Sequence, residues 1–152
     1  MRIQKGHVLF KAITLILAIS LIFPCSVSAA TADILPSRAS EYLTSYNTYA
    51  CAMGSGRVEI WFTVVGDTDM DDIGALSIRL YESTDNSTWT WKQTYLHEDY
   101  PSMLAHNDYF HSSCVSYQGV AGRYYKAYVC IWAGKDGGGD TRYMWATSVK
   151  AT

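Results

Sequence analysis

Residues 114–134 read C-V-S-Y-Q-G-V-A-G-R-Y-Y-K-A-Y-V-C-I-W-A-G, and the pattern of this stretch indicates the fold class. It holds two runs of alternating apolar and polar residues, joined by a turn that contains Gly119 and Gly122. Successive side chains of a β-strand point to opposite faces. The second run therefore places one apolar set on a single face: Tyr125, Ala127, Val129, Ile131 and Ala133. The pattern predicts two half-buried antiparallel strands.

The same alternation recurs on both sides of this stretch. Residues 41–53 and 57–65 flank Gly54-Ser55-Gly56, which is typical of a β-hairpin, and this register would place Tyr49 opposite Trp61. Residues 76–82, 89–96 and 141–149 are further predicted strands. We interpret residues 66–74 as a polar loop and residues 97–110 as a long crossover or short helical turn. About seven strands, with turns about every 8 to 12 residues, indicate an all-β antiparallel two-sheet sandwich.

The N-terminus has the composition of a secretory signal peptide. Basic residues at positions 2, 5 and 11 precede an apolar run over residues 12–23 and the small residues 26–30. The apolar run is too short to cross about 30 Å of hydrocarbon as a helix. We therefore predict a signal peptide over residues 1–29, a leading segment over residues 30–40 and a β-sandwich domain over residues 41–152. The mature chain would be secreted, with no stable membrane anchor.

Charge and composition narrow the classes of partner. Removal of residues 1–29 leaves nine basic and fourteen acidic residues, a net charge of −5. Nucleic acid and anionic membranes are therefore poor candidates. No motif in the sequence points to a cofactor, and nothing in it predicts the oligomeric state.

Three cysteines remain after cleavage, at positions 51, 114 and 130. Because the number is odd, at least one thiol must be free or paired between molecules. Strand alternation places all three on outward faces. Outward cysteines on separate sheets would be too far apart for a disulfide, so we predict no internal one.

Several short motifs resemble known families. Gly119-Val120 and Gly122, followed by Tyr124-Tyr125-x-Ala127-x-Val129, resemble the corner between strands E and F of fibronectin type III and immunoglobulin-like domains. The resemblance implies that the Tyr125 hydroxyl bonds back to the preceding loop. The segment Ser83-x-Asp85 with Thr88-Trp89 resembles an Asp-box turn, and implies a tight turn with Trp89 packed behind it. The D-M-D-D-I-G-A, Y-P-S-M-L and G-x-x-G-x-x-Y-x-A-x-V motifs also resemble small secreted bacterial proteins of unknown function.

Two polar clusters are weak candidates for chemistry. Asp67, Asp69, Asp71 and Asp72 offer the oxygen ligands that Ca²⁺ prefers, but the spacing does not fit an EF-hand. His97, His106 and His111 lie near Glu98, Asp99 and Asp108, without H-E-x-x-H spacing. We interpret the first cluster as a solvated loop and the second as histidines that satisfy backbone groups. We therefore assign no metal site and no catalytic residue.

Outward-facing aromatic residues carry the stronger hypothesis of binding. If Tyr125 and Val129 point inward, then Tyr124, Tyr128 and Trp132 point outward, and Tyr81 joins them from another strand. Sugar rings present C–H faces that stack on aromatic side chains. The sequence thus favours a non-enzymatic module that binds a surface glycan or protein. Two alternatives stay open: a small hydrolase or metal-dependent enzyme that uses the loop from His97 to His111, and a self-associating structural protein.

Overall fold

The computed structural model describes residues 40–152, and apart from one 3-10 turn all of their regular secondary structure is β-strand. Its strands are β1 (Leu43–Gly54), β2 (Arg57–Ser83), β3 (Thr90–Leu96), β4 (Leu104–Gln118), β5 (Tyr124–Lys135) and β6 (Gly138–Lys150), and a 3-10 turn (Pro101–Met103) precedes β4. The described part of the chain has no α-helix, and hence none that is long and apolar enough to cross a membrane. The predicted signal peptide lies outside the described residues.

Strand β2 organises the sheet. Its N-terminal part pairs with β1 and β4, its C-terminal part pairs with β3 and β5, and β6 adds to β5. Every pairing is antiparallel, and the six strands form one sheet that curls into a half-barrel. The order along the main path is β1-β2-β5-β6.

The core lies on the inner side of this curled sheet. Tyr49 pairs with Trp61 across β1 and β2, and their rings stack with centroids 6.3 Å apart, so the predicted hairpin register is confirmed. The inward residues of β2 and β5 are fully or almost fully buried: Val58, Ile60, Phe62, Val64, Ile78, Leu80, Tyr125, Ala127, Val129 and Ile131. Burial of apolar side chains on this scale is the main stabilising contribution to folding.

The prediction of a polar loop over residues 66–74 is wrong, because these residues continue β2. Met70 and Ile73 are buried, and the backbone of residues 70–74 pairs with β4. The carboxylates dominate the composition here, but two inward apolar side chains are enough to keep the segment on the core. Two predicted strands therefore merge, and the described residues contain six strands rather than seven. A seven-strand two-sheet sandwich is not confirmed.

The predicted long crossover or short helical turn over residues 97–110 is confirmed only in its first part, where Pro101–Met103 form a 3-10 turn, and is wrong for residues 104–110. Only residues 97–103 form turns, and β4 begins at Leu104. The start of β4 pairs with Met70–Gly74 of β2, so its backbone is held by the ladder although neither face is consistently buried. Tyr109 and Phe110 are 58% and 45% exposed. Residues 104–110 show no alternation of apolar and polar side chains because neither face of this segment is consistently buried.

A buried polar network joins β2, β5 and the loop before β5. The hydroxyl of Tyr125 accepts a hydrogen bond from the Val120 N–H (2.8 Å) and donates one to Glu82 Oε2 (2.6 Å). Arg123 Nη1 donates to Glu82 Oε1 at 2.6 Å. A Cβ at Gly119 would lie 2.6 Å from the Tyr125 ring, so only glycine fits beside it. The bond from Tyr125 back to the loop, which the sequence implied, is confirmed.

This network shifts the pKa of both of its buried acids. Burial raises the pKa of Glu82, but the hydrogen bonds from Tyr125 and Arg123 outweigh burial and hold the pKa below its usual value. Burial, followed by the hydrogen bond to Glu82, raises the pKa of Tyr125 to about 12. The native state therefore holds an ionised Glu82 and a protonated Tyr125 at neutral pH.

Replacement of Tyr125 by Phe tests the contribution of the hydroxyl. The change leaves the Val120 N–H and one Glu82 oxygen without a partner, so the free energy of unfolding should fall by about 1 to 3 kcal/mol. Urea unfolding measures this, with Tyr109→Phe as a control because Tyr109 is 58% exposed. Equal stabilities for the two variants would contradict the role of the network.

Glu82 should make stability depend on pH in the acid range. Its pKa is lower in the folded than in the unfolded state, so its contribution is present above the unfolded-state pKa and is lost as pH falls through the folded-state pKa. The difference in free energy of unfolding between the parent and Glu82→Gln should therefore shrink between about pH 6 and about pH 3. Glu41→Gln, at an exposed site, is the control. An unchanged difference for Glu82→Gln would contradict this prediction.

Candidate functional site

Aromatic and cationic side chains meet on the outer side of β2, β5 and β6. Because Tyr125, Ala127 and Val129 point to the core, Lys126 and Tyr128 point away from it. The register places Tyr81 beside Lys126, and places Tyr128 between Arg79 and Trp145. We call this surface the aromatic–cationic face, and define it by Arg79, Tyr81, Lys126, Tyr128, Tyr143 and Trp145.

The aromatic rings of this face pack against one another. The ring centroid of Tyr128 lies 4.8 Å from that of Trp145 and 5.6 Å from that of Tyr143, and the Tyr143 ring is within 15° of parallel. Tyr81 contacts Trp145 with centroids 5.5 Å apart. Tyr143 is 61% exposed and Trp145 is 47% exposed. Tyr128 thus contacts two rings that each keep about half of their surface or more exposed.

Lys126 lies between two tryptophans. Its Nζ is 4.2 Å from the ring centroid of Trp89 and 4.5 Å from that of Trp145, which is within the range of a cation–π interaction. Trp89 reaches this position from the connection between β2 and β3. The two rings hold the ammonium group at the centre of the face.

The turn before Trp89 is built on one carboxylate. Oδ1 of Asp85 accepts hydrogen bonds from the Thr88 N–H (2.8 Å), the Ser87 N–H (2.9 Å) and the Ser83 hydroxyl (2.8 Å). The backbone hydrogen bonds from Thr88 and Ser87 lower the pKa of Asp85 well below its usual value. The tight turn predicted from the sequence is confirmed, and the contact that the structure gives for Trp89 is with Lys126.

Two of the four predicted ligand-binding residues belong to this face, namely Tyr81 and Tyr128. Tyr124 lies at one end of β5, where Lys150 Nζ is 5.5 Å from its ring centroid. Trp132 lies toward the other end and packs over Gly134 and Gly139, where no Cβ would fit. Neither Tyr124 nor Trp132 has a ring contact with the aromatic cluster.

Sequence reasoning missed Trp89, Lys126, Tyr143 and Trp145 as members of the site. Tyr143 and Trp145 alternate with Met144 and Ala146 in a strand that was predicted, so their shared face could be read from the sequence. Their place beside Tyr128 depends on the register of β5 with β6, which includes a shift between Tyr125 and Ala127. No sequence pattern in this chain specifies that shift.

The acidic and histidine clusters do not converge. Asp67, Asp69 and Asp71 are exposed along β2, and Asp71 accepts a hydrogen bond from the Asp136 N–H at 2.8 Å. Asp72 contacts His106 instead. Within residues 40–152, no three His, Cys, Asp or Glu side chains are arranged to hold a metal ion.

Each of the three histidines has a separate contact. His111 Nε2 lies 2.9 Å from the Ser102 carbonyl oxygen, and His97 Nε2 lies 3.3 Å from Glu98 Oε1. The interaction of His111 is of the backbone-satisfying kind that the sequence analysis expected. Spread over a turn and a long strand, the three imidazoles do not form one group.

The three cysteines at positions 51, 114 and 130 are free. Cys130 points outward, as predicted, but only 6% of it is exposed, because neighbouring side chains of the outer face cover it. Burial raises its pKa, and a hydrogen bond with Tyr143 acts in the opposite direction. Burial also raises the pKa of Cys114. Strand alternation predicts the direction in which a side chain points, but it does not predict whether neighbouring side chains cover that side chain.

A concave surface lies between β3 and β4. This groove has a volume of about 530 Å³ and is lined by Gln93, Tyr95, Tyr100 and residues 114–118. The Tyr95 hydroxyl crosses it and donates a hydrogen bond to the Ser116 carbonyl (3.1 Å). It carries neither an ion pair nor a cation. Strand periodicity does not predict this groove, because β3 and β4 each pair with β2 and not with one another.

Comparisons of the chain with protein-family models, with curated proteins and with solved structures gave no match. The resemblance to fibronectin type III and immunoglobulin-like domains stays a prediction. The functional assignment therefore depends on the chemistry of the aromatic–cationic face.

Proposed function

We propose that this protein is a secreted, non-enzymatic interaction module that binds a surface glycan or protein through its aromatic–cationic face. The observation that carries the proposal is the set of packed, exposed rings on one side of the sheet. Four aromatic side chains contact one another there: Tyr81, Tyr128, Tyr143 and Trp145. Exposed aromatic patches of this kind mark binding surfaces more often than isolated apolar residues do.

A glycan is the ligand class that these rings favour. The C–H face of a sugar ring stacks on a flat aromatic side chain, and Tyr143 and Trp145 each expose about half of their surface or more. Contact with Tyr128 restricts both rings before a ligand arrives. Binding then loses less side-chain entropy than it would on freely rotating rings.

The fold proposal that accompanies this function is a β-sandwich related to fibronectin type III and immunoglobulin-like domains. Its support is the hydrogen bond from the Val120 N–H to the Tyr125 hydroxyl at the corner before β5. The bend of β2 adds support, because both halves of this strand direct apolar residues to one core.

Two alternatives from the sequence analysis predict different outcomes. An enzyme that uses the histidine region would lose its activity when His97, His106 and His111 are replaced together. A self-associating structural protein would form oligomers through its strand edges or cysteines. Light scattering and activity measurements on the secreted chain separate both alternatives from a monomeric binding module.

The test of the proposal is a glycan and protein array probed with the secreted chain and with two double variants. Tyr143→Ala with Trp145→Ala should lower the signal for the ligand by about tenfold or more, since two stacking rings are lost. Tyr109→Ala with Phe110→Ala removes two aromatic rings of comparable exposure from β4, and should leave the signal unchanged. Equal loss in both variants, or no binding by the parent, would contradict the proposal.

A further inference from the structure

We infer that the ligand of the aromatic–cationic face is an acidic glycan, that is, a chain of sugar rings that carry carboxylate or sulfate groups. The inference rests on the proposed function and specifies its ligand. The observation behind it is the juxtaposition of stacking rings with cations that have no carboxylate partner.

The charge of this face is opposite to that of the whole chain. Residues 30–152 carry nine basic and fourteen acidic residues, yet the outward positions of β2, β5 and β6 around Tyr128 include Arg79 and Lys126 and no carboxylate; Asp72 lies farther along β2, opposite Gly134. Glu82 belongs to this part of β2, but it points inward to Tyr125. An acidic protein thus has one locally cationic surface, and the same surface holds the aromatic cluster.

The cations of this face are also unpaired within residues 40–152. Elsewhere in that region, Lys92 and Arg123 pair with Glu82, and Arg142 pairs with Asp140. No carboxylate oxygen of the described residues lies within ion-pair distance of Arg79 or Lys126, the two cations of the face. Their charges are therefore available to a ligand.

Lys126 is the central member of this set. It is half-buried between Trp89 and Trp145, so it has given up part of its hydration for contact with two aromatic rings. Attraction between opposite charges is stronger at a partly desolvated group than at a fully hydrated one. An anionic group that approaches the rings would meet this ammonium without having to displace a carboxylate.

The placement of cations beside rings matches the shape of an acidic sugar. Arg79 lies next to Tyr128 across the β2–β5 ladder, and Lys126 lies next to Tyr81. Neighbouring strands are about 4.8 Å apart, so a ring stacked on one aromatic side chain has a cation within reach of its edge. A sugar ring with a charged substituent offers both of these contacts at once. A neutral sugar would use only the aromatic part of the surface.

Single-stranded nucleic acid also combines flat rings with negative charge, but the net charge of −5 opposes a polyanion that extends beyond this face. Proteins that bind nucleic acid without sequence preference follow its backbone with a continuous positively charged groove. Here two cations, Arg79 and Lys126, lie within one face of a chain whose net charge is negative. A glycan that contacts the face locally fits this distribution better.

The experiment measures binding of the secreted chain to paired polysaccharides by isothermal titration calorimetry. The pairs are polygalacturonate with its methyl ester, and dextran sulfate with dextran, so that each pair differs in charge. A polythymidine oligonucleotide is the nucleic acid probe. We expect binding to at least one charged member to be about tenfold tighter than to its neutral partner, and to weaken as salt rises.

Two double variants with the same change in net charge locate the binding site. Arg79→Gln with Lys126→Gln should weaken binding to the charged polysaccharide by about tenfold. Arg57→Gln with Lys135→Gln removes two cations away from the face, and should leave the affinity unchanged. Equal loss in both variants would overturn the inference, since it would show a response to net charge alone.

The remaining outcomes separate this inference from the proposed function. Equal affinity for charged and neutral members, lost in Tyr143→Ala with Trp145→Ala, would overturn the acidic ligand and keep a glycan-binding face. Tighter binding of the oligonucleotide than of any polysaccharide would overturn the glycan assignment itself. Absence of binding to every probe by a folded protein would overturn the inference, whereas the array with the same double variant decides the proposed function independently.

Discussion

The structure depends on the burial of the apolar side of β2. This strand is 27 residues long, and every described strand except β6 pairs with it directly. Because its two halves both point apolar residues toward one core, the strand must bend, and the strands attached to it form a curled sheet. The same constraint determines the outer face of β5 and β6. In these strands, the residues between the buried ones must point to solvent.

The network around Tyr125 links the core to the candidate site. Tyr125 points inward and bonds to Glu82 of β2 and to Val120 of the preceding loop, which anchors the first residues of β5. With Tyr125 fixed inward, Lys126 and Tyr128 are directed outward, where they meet Trp89, Tyr143 and Trp145. A hydroxyl in the core thus helps to determine which side chains reach the surface.

The sequence predicted those parts of the fold in which one face is buried throughout. The hairpin of β1 with β2, the strand β5 and the inward set around Val129 all show a period of two, because the core selects every second residue. Residues 66–74 direct only two large apolar side chains, Met70 and Ile73, to the core, and residues 104–110 have no consistently buried face. Neither segment therefore shows the pattern, and backbone hydrogen bonds that any side chain permits contribute to their pairing. Alternation also predicted part of the candidate site, because it places Tyr81 and Tyr128 on the outer face. It could not add Trp145 and Tyr143, because their position beside Tyr128 depends on a local shift in the register of β5 with β6.

Binding of a ligand on the outer face of β5 and β6 would change the environment of the tryptophans there. The indole N–H signals in a ¹H–¹⁵N NMR spectrum report this change for each tryptophan. Trp89 and Trp145 enclose Lys126, whereas Trp61 stacks on Tyr49 on the outer side of β1 and the N-terminal part of β2. On addition of a charged polysaccharide that binds the chain, the signals of Trp89 and Trp145 should shift while that of Trp61 stays in place. A shift of Trp61 with Trp89 and Trp145 unchanged would show that the ligand binds away from β5 and β6.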